Sequence, residues 1–345
     1  MGLFKKDPLQ VIVFQSYGTS SHLYVRGRAL EDESIDLEGK HPIKLLINAY
    51  KRFESDEIRH AKLLLKLSDG RIFETVTDDE GYFLLDEKVE GLDVLANEEG
   101  WVSFEVAYKD FTSTRIIQLE NRFPGEMLIP GLSQGQDSKE VSFGVASDID
   151  DTILHTGLVS TLKWRVIYNT FLKRASKRSP LEGAAEFYHL LHRGKTGNEA
   201  NPIFYVSHSP WNMYRYLEFF LKKNNFPKGP ILLRDFGNFL NRKKNKEKPR
   251  KQQEILNILK TYPKLKLILI GDSGEHDADI YLEIAELHPD RILAIYLRSV
   301  KHKRKMLRVK GIYENYKTTP VLLVDSSKQA MEHARENGFI SETLF

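Results

Sequence analysis

Cysteine is absent from all 345 residues, which removes disulfide frameworks, zinc–thiolate sites, iron–sulfur clusters and thiol catalysis together. Long apolar runs are missing as well. No stretch of about 18 uncharged apolar residues occurs, so a membrane-spanning helix is not expected. Met1 to Pro8 carry no apolar segment of secretory length, and Lys6 stands where a myristoylation signal needs Ser or Thr. A cytoplasmic location is expected, with room for peripheral contact at a membrane. A charge excess of one sign is also lacking: 51 Lys and Arg against 48 Asp and Glu leave +3. That is too near balance to indicate nucleic acid, and no nucleic-acid partner is expected. What remains is an ordinary globular composition, 41% apolar and 29% charged, at a length that roughly 150 residues per domain divides into two domains.

The first 130 residues read as β structure. Val11 to Gln15, His22 to Arg28, Leu63 to Leu67, Ile72 to Val76, Tyr82 to Leu85, Trp101 to Tyr108 and Thr114 to Leu119 are short, partly alternating runs. Turn residues such as Ser68-Asp69-Gly70-Arg71 and Thr77 to Gly81 separate them. Short strands at close spacing suggest a β-sandwich, with Ile43 to Arg52 as a helix started by Pro42. Between Phe123 and Ser142, Pro124, Gly125, Pro130, Gly131, Ser133, Gly135 and Ser138 collect, the composition of a connecting segment. Expected domains are thus 1–130, a linker at 131–140, and 141–345.

Beyond the linker the pattern becomes α/β. Strands are expected at Val141 to Ser147, Ile203 to Val206, Ile231 to Leu233, Leu265 to Ile270 and Ile292 to Leu297. Helices are expected at Leu158 to Ala175, Glu182 to His192, Trp211 to Lys223, Gln252 to Tyr262 and Ala278 to Glu286. Near-continuous apolar strands alternating with helices imply a parallel sheet covered on both faces.

Chemistry concentrates at the ends of these strands. Asp148-Ile149-Asp150-Asp151-Thr152 follows the first apolar strand of the α/β region, and in an open parallel sheet ligands sit outside the carboxyl ends of the strands. Two carboxylates so close are costly to keep ionised without a cation. The spacing suits magnesium, with a side-chain oxygen from Asp148 and a backbone oxygen from Asp150. Taken alone, the segment is equally a turn whose acids cap the next helix. A calcium-binding EF-hand fits poorly, because Ile153 and Val159 stand where its Gly and Glu are needed. A later strand ends in Gly271-Asp272 with Asp277 five positions on, and Ile203 to Val206 ends in Ser207. Lys251 opens the helix before the Gly271 strand. By themselves, Ser207 reads as a cap and Lys251 as a solvated lysine.

In chain order, Asp148, Asp150, Thr152, Ser207, Lys251, Asp272 and Asp277 resemble the four-part pattern of the haloacid dehalogenase superfamily of phosphatases. The stretches Asp148 to Leu154, Tyr205 to Trp211, and Gly271 to Asp277 with Tyr281 are similar to the catalytic domain of actin-patch-type phosphatidate phosphatases, whose motifs are lipin-like. The likeness covers about residues 140 to 300, and Thr77 to Phe83 resembles the amino-terminal domain of bacterial members. His208 departs from the Asn expected there.

The resemblance implies a haloacid-dehalogenase-like, Rossmann-like catalytic domain and a magnesium-dependent hydrolysis of phosphatidate. Asp148 would attack phosphorus and form an aspartyl-phosphate, and Asp150 would protonate the leaving alkoxide and later deprotonate water. Ser207 and Lys251 would stabilise the phosphoryl oxygens, with Thr152 fixing the loop and completing the substrate-binding set. Asp148, Asp150, Asp272 and Asp277 would form the magnesium site. Lys248 is a nearby rival to Lys251. The open alternatives are a phosphatase of a soluble ester or phosphoprotein, and a phospholipid-binding module without catalysis. Two basic runs, Arg242 to Lys251 and Arg298 to Lys305, are expected as loops forming a positive rim around the site that could meet an anionic membrane.

Overall fold

In the computed structural model, which describes residues 9–31, 57–109, 121–131, 139–149, 152–153, 182–234, 248–274, 276–299 and 302–342, the chain divides into two units, Met1–Ser138 and Lys139–Phe345. The expected Ile43 to Arg52 helix, the Thr114 to Leu119 strand and the Leu158 to Ala175 helix lie outside the described residues. No helix among the described residues is long and apolar enough to cross a membrane.

Among the described residues the first unit has eight strands: β1 (Leu9–Phe14), β2 (Ser16–Tyr17), β3 (His22–Glu31), β4 (Lys62–Leu67), β5 (Ile72–Val76), β6 (Tyr82–Lys88), β7 (Trp101–Tyr108) and β8 (Phe123–Leu128). They form a three-stranded sheet, β1-β3-β6, and a five-stranded sheet, β2-β8-β7-β4-β5. Alternation sets which face is buried: Leu63, Leu65 and Leu67 point inward on β4 while Lys62 and Lys66 are exposed. Residues of both sheets, including Val11, Leu23, Val25, Leu65, Phe83, Phe104 and Val106, belong to one core cluster. The turn at Ser68 to Arg71 joins β4 to β5 in register, with Lys66 opposite Ile72.

β8 corrects the reading of Phe123 to Ser142 as connecting chain over its first residues, because Pro124 and Gly125 are strand residues. β2 pairs with β8 only at Met127 and Leu128, so one side of β8 is open at Pro124, the kind of position that a strand proline needs. Gly125 lies where an added Cβ would come within 2.4 Å of the Phe104 ring and 2.6 Å of Val13. The glycine there allows close packing rather than a turn.

In the second unit, six parallel strands run in the order β11-β10-β9-β12-β13-β14: β9 (Gly144–Ser147), β10 (Ile203–Pro210), β11 (Ile231–Arg234), β12 (Leu267–Asp272), β13 (Ile292–Arg298) and β14 (Val321–Val324). Helices α1 (Ala184–Arg193), α2 (Tyr214–Lys223), α3 (Arg250–Thr261), α4 (Asp277–Leu287), α5 (Lys303–Tyr313) and α6 (Ser327–Glu336) alternate with them. The chain leaves β9 toward β10 and β11, then returns to the other side of β9 as β12. Strand order therefore reverses between β9 and β12, the place where an open α/β sheet holds ligands.

Three elements lie beyond the reach of the sequence pattern. β14 has only four residues, and α6 begins at Ser326, whose side chain caps the Gln329 N–H. α5 includes Lys303 to Lys305, so the second basic run enters a helix rather than remaining a loop. Met306, Val309 and Tyr313 give α5 its inward face, but the surrounding cations hide that spacing.

Candidate active site

β9 is buried at all four positions and ends where Asp148 follows, itself fully buried. The Asp148 N–H continues the sheet ladder by donating to Ile270 O at 2.8 Å. Because Ser147 pairs with Ile270, Asp148 and the last residues of β12 emerge side by side at one edge. Thr152 Oγ1 donates to Asp148 Oδ2 at 3.2 Å, so the turn after β9 folds back on its own acid. Asp150 lies outside the described residues.

Lys251 sits in the first turn of α3 and Asp277 in the first turn of α4. A helix amino terminus favours an acid and disfavours a cation, so Asp277 is placed with the dipole and Lys251 against it. Lys251 is 1% exposed and is held by two carboxylates: Nζ lies 2.7 Å from Asp148 Oδ1 and 2.5 Å from Asp277 Oδ1. A buried ammonium is stable only with such partners. Lys248 instead forms an exposed pair with Glu283 at 2.9 Å. Of the two lysines, the structure brings Lys251 to Asp148.

Asp277 uses its other oxygen, Oδ2, to accept the Asp272 N–H at 3.3 Å. Asp272 Oδ1 accepts the Gly274 N–H at 2.5 Å. Gly271 makes this approach possible, because a Cβ there would come within 2.4 Å of Asp277 Oδ2 and 2.8 Å of the Tyr281 ring. Tyr281 Oη donates to Ile270 O at 2.9 Å. Burial, followed by the neighbouring Asp277 and Asp148 carboxylates, pushes its phenol well above the usual range, so it remains a neutral donor.

Ser207 does not end its strand as expected. β10 continues to Pro210, with a register break between Val206 and Pro210. Tyr205 is opposite Ser147, so Ser207 lies past the end of β9 on the same edge as Asp148. The side chain of Ser207 is buried and its Oγ accepts the Ser209 N–H at 2.9 Å. His208 is half-buried.

Two residues at the site escaped the sequence reading. Ser147 Oγ donates to Asp148 O at 2.8 Å and lies 2.5 Å from Tyr188 Oη. With the serine proton already used, Tyr188 is the donor in the second bond. Burial raises the Tyr188 phenol and keeps that proton in place. The available signal was a serine directly before Asp148 at the end of an apolar strand; Tyr188, 41 positions away, gave none.

Three buried carboxylates, Asp148, Asp272 and Asp277, thus stand against one buried ammonium. That excess of negative charge, carried by hard oxygen donors, fits a hard divalent cation. Among the described residues no group of three or more His, Asp and Glu is already gathered as a metal site.

Comparison with known proteins bears out the likeness to actin-patch-type phosphatidate phosphatases read from the motifs. Residues 143–299 match the family described as Phosphatidate phosphatase APP1, catalytic domain. The chain is 40% identical over 156 residues to Phosphatidate phosphatase APP1 of Saccharomyces cerevisiae, covering 45% of this chain and 25% of that protein. It is 27% identical over 229 residues to an uncharacterized protein of Schizosaccharomyces pombe, covering 66% of this chain and 34% of that one. The chain therefore spans only a quarter to a third of the length of these relatives.

Proposed function

We propose that the chain, whose residues 143–299 match the catalytic domain of the APP1 phosphatidate phosphatase family, belongs to that family and is a phosphoric monoester hydrolase that converts phosphatidate to diacylglycerol and phosphate. The observation that carries this reading is the buried Lys251 ammonium bridging Asp148 and Asp277 at the edge where strand order reverses.

The mechanism follows the haloacid dehalogenase pattern. A carboxylate oxygen of Asp148 forms a bond to phosphorus as the ester P–O bond breaks, and Asp150 gives its proton to the leaving alkoxide. Water then attacks the aspartyl-phosphate, Asp150 takes the water proton, and the bond from phosphorus to Asp148 breaks to release phosphate. Lys251 and the Ser207 hydroxyl stabilise charge on the phosphoryl oxygens, with Thr152 holding the Asp148 turn. Asp277 has one oxygen on Lys251 and one on the Asp272 N–H, which suits it to keep both in register beside the metal. Magnesium, held by Asp148, Asp272 and the backbone of Asp150, would supply charge neutralisation at the phosphoryl group. In the same reading, residues 1–130 are a β-sandwich-like domain, supported by the single core that both of its sheets feed.

The test is phosphate release from phosphatidate, sugar phosphates and phosphopeptides with magnesium, repeated in EDTA and with Asp148→Asn. We expect turnover of phosphatidate that EDTA removes and that Asp148→Asn lowers by about 10⁴-fold or more. Undiminished release in either case would overturn the mechanism. Turnover of soluble esters alone would make this a small-ester phosphatase, and phosphatidate binding without turnover of anything would make it a binding module.

A further inference from the structure

Helix α5, of sequence KRKMLRVKGIY, carries five basic residues and no acidic one, in a chain whose net charge is only +3. Lys303, Arg304 and Lys305 fill its first turn, where the helix dipole opposes cations. Contacts within the fold use two of the five. Lys305 Nζ donates to Gly274 O at 2.5 Å, and Arg308 donates to both Asp279 oxygens at 2.5 Å. Among the described residues, Lys303, Arg304 and Lys310 have no carboxylate partner.

These three cations are exposed, and so is Leu307, at 59%. Positions 303, 307 and 310 follow the helical repeat, which sets Lys303, Leu307 and Lys310 on one stripe with Arg304 beside it. The packed face carries Val309 and Tyr313, both buried, and Tyr313 Oη donates to Ala278 O at 2.7 Å. The helix is thus packed on one side and basic on the other, with an apolar residue in the middle of the basic face. It is fastened to the loop that follows Asp272 through Lys305 to Gly274, and Met306 Sδ lies 3.2 Å from Ser273 Oγ, whose proton goes to Arg298 O at 2.6 Å. Its first turn therefore stands at the lip of the candidate active site.

We infer that the outer face of α5 seats the protein on an anionic lipid bilayer, with Lys303, Arg304 and Lys310 on headgroup phosphates and Leu307 in the acyl boundary. This rests on the phosphatidate reading and adds where the bilayer meets the enzyme. Charge complementarity selects an anionic surface, and cations flanking an exposed apolar side chain are the arrangement that an interfacial helix uses. A nucleic-acid backbone would engage the cations but give Leu307 nothing to enter.

Full-length protein is sedimented with vesicles of phosphatidylcholine alone and of phosphatidylcholine with phosphatidylserine, over a salt series. Wild type is expected to prefer the anionic vesicles and to weaken as salt screens the charges. Lys303→Gln with Arg304→Gln should lower partitioning about 30-fold, from two surface cations converted to a binding ratio. Leu307→Gln should lower it about tenfold at every salt concentration, since it removes apolar burial rather than charge. Hydrolysis of a soluble short-chain phosphatidate should be unchanged in both variants. Partitioning equal to wild type would overturn the proposal. So would loss of short-chain hydrolysis in the variants, which would make α5 an element of the fold only, or loss of duplex DNA binding with vesicle binding unmoved. If wild type hydrolyses nothing but the variants still lose vesicle binding, the docking surface stands and the activity reading falls.

Discussion

Strand β4 of the first unit alternates between inward leucines and outward lysines, whereas β12 of the second is buried at all six positions, Leu267–Asp272. The two patterns put polar groups in different places. On strands such as β4 and β5 of the first unit every second residue can meet water, so charge is spread along the surface in exposed pairs such as Glu105 of β7 with Arg122, just before β8. In the second, the strands have helices on both faces and polar groups gather where the strands end. Asp148, Ser207, Asp272 and the first-turn residues Lys251 and Asp277 are all at one edge. The difference teaches why a charged cluster in one unit is decoration and in the other a site: surface pairs are worth little, while buried charges persist only when they are mutually matched.

The largest test of that contrast is Asp150→Asn. It should leave the fold intact and slow turnover by about 10²–10⁴-fold, the usual contribution of a general acid and base, read as phosphate release with magnesium. Full activity would remove Asp150 from its proposed role as proton donor and acceptor.

Next come two substitutions of similar cost and opposite meaning. Leu65→Ala in the first unit's core should lose about 2–5 kcal/mol in denaturant unfolding with kcat unchanged. Lys251→Met should lose about 3–5 kcal/mol, because it leaves Asp148 and Asp277 buried without their cation, and turnover should disappear with it. Equal effects on kcat from the two would break the comparison.

A smaller effect is expected from Gly271→Ala. The added methyl pushes on Asp277 Oδ2 and the Tyr281 ring, which should cost about 1–3 kcal/mol and lower activity by shifting the partner of Lys251. Wild-type stability and activity would show that the loop relaxes freely.

The mildest probe is alkaline pH. Tyr188, Tyr205 and Tyr281, all in the second unit, have phenols raised chiefly by burial. A raised folded-state pKa means that the folded chain keeps protons which the unfolded chain releases near pH 10. The stability they contribute is therefore full below about pH 10 and falls as pH rises above it. Thermal melts followed with phenolate absorbance should show the loss beginning there. Ionisation of all 15 tyrosines in one wave near pH 10, with native circular dichroism retained, would contradict it.

How much was legible beforehand follows the same division. Apart from the two-residue β2, the strands of the first unit through Trp101–Tyr108 are visible because apolar runs and alternation are written locally. β8 is not, because Pro124 and Gly125 look like a linker until the open side of the strand and the nearness of Phe104 are known. In the second unit, Asp148 and Asp272 are legible because each ends an apolar strand. The resemblance favours Lys251 over Lys248 by its place four residues before Ile255, but only the fold puts Lys251 inside the helix and Lys248 just before its Pro249 cap. Ser147 gives no signal because the acceptor its hydroxyl oxygen offers has a use only once the Tyr188 phenol is beside it.

The sequence by itself determined the period of most elements and hence the layer each joins, the acids at the strand ends, and the lack of any thiol or of an apolar run long enough for a spanning helix. These are local properties of the chain. Only the tertiary structure decided that Lys251 answers Asp148 and Asp277, that Gly271 leaves room for a carboxylate, and that the cations after β13 stand on a helix with Leu307 among them. Each of these depends on residues distant in the chain or on the face a helix turns outward, and burial sets their energies by removing the water that would otherwise screen them.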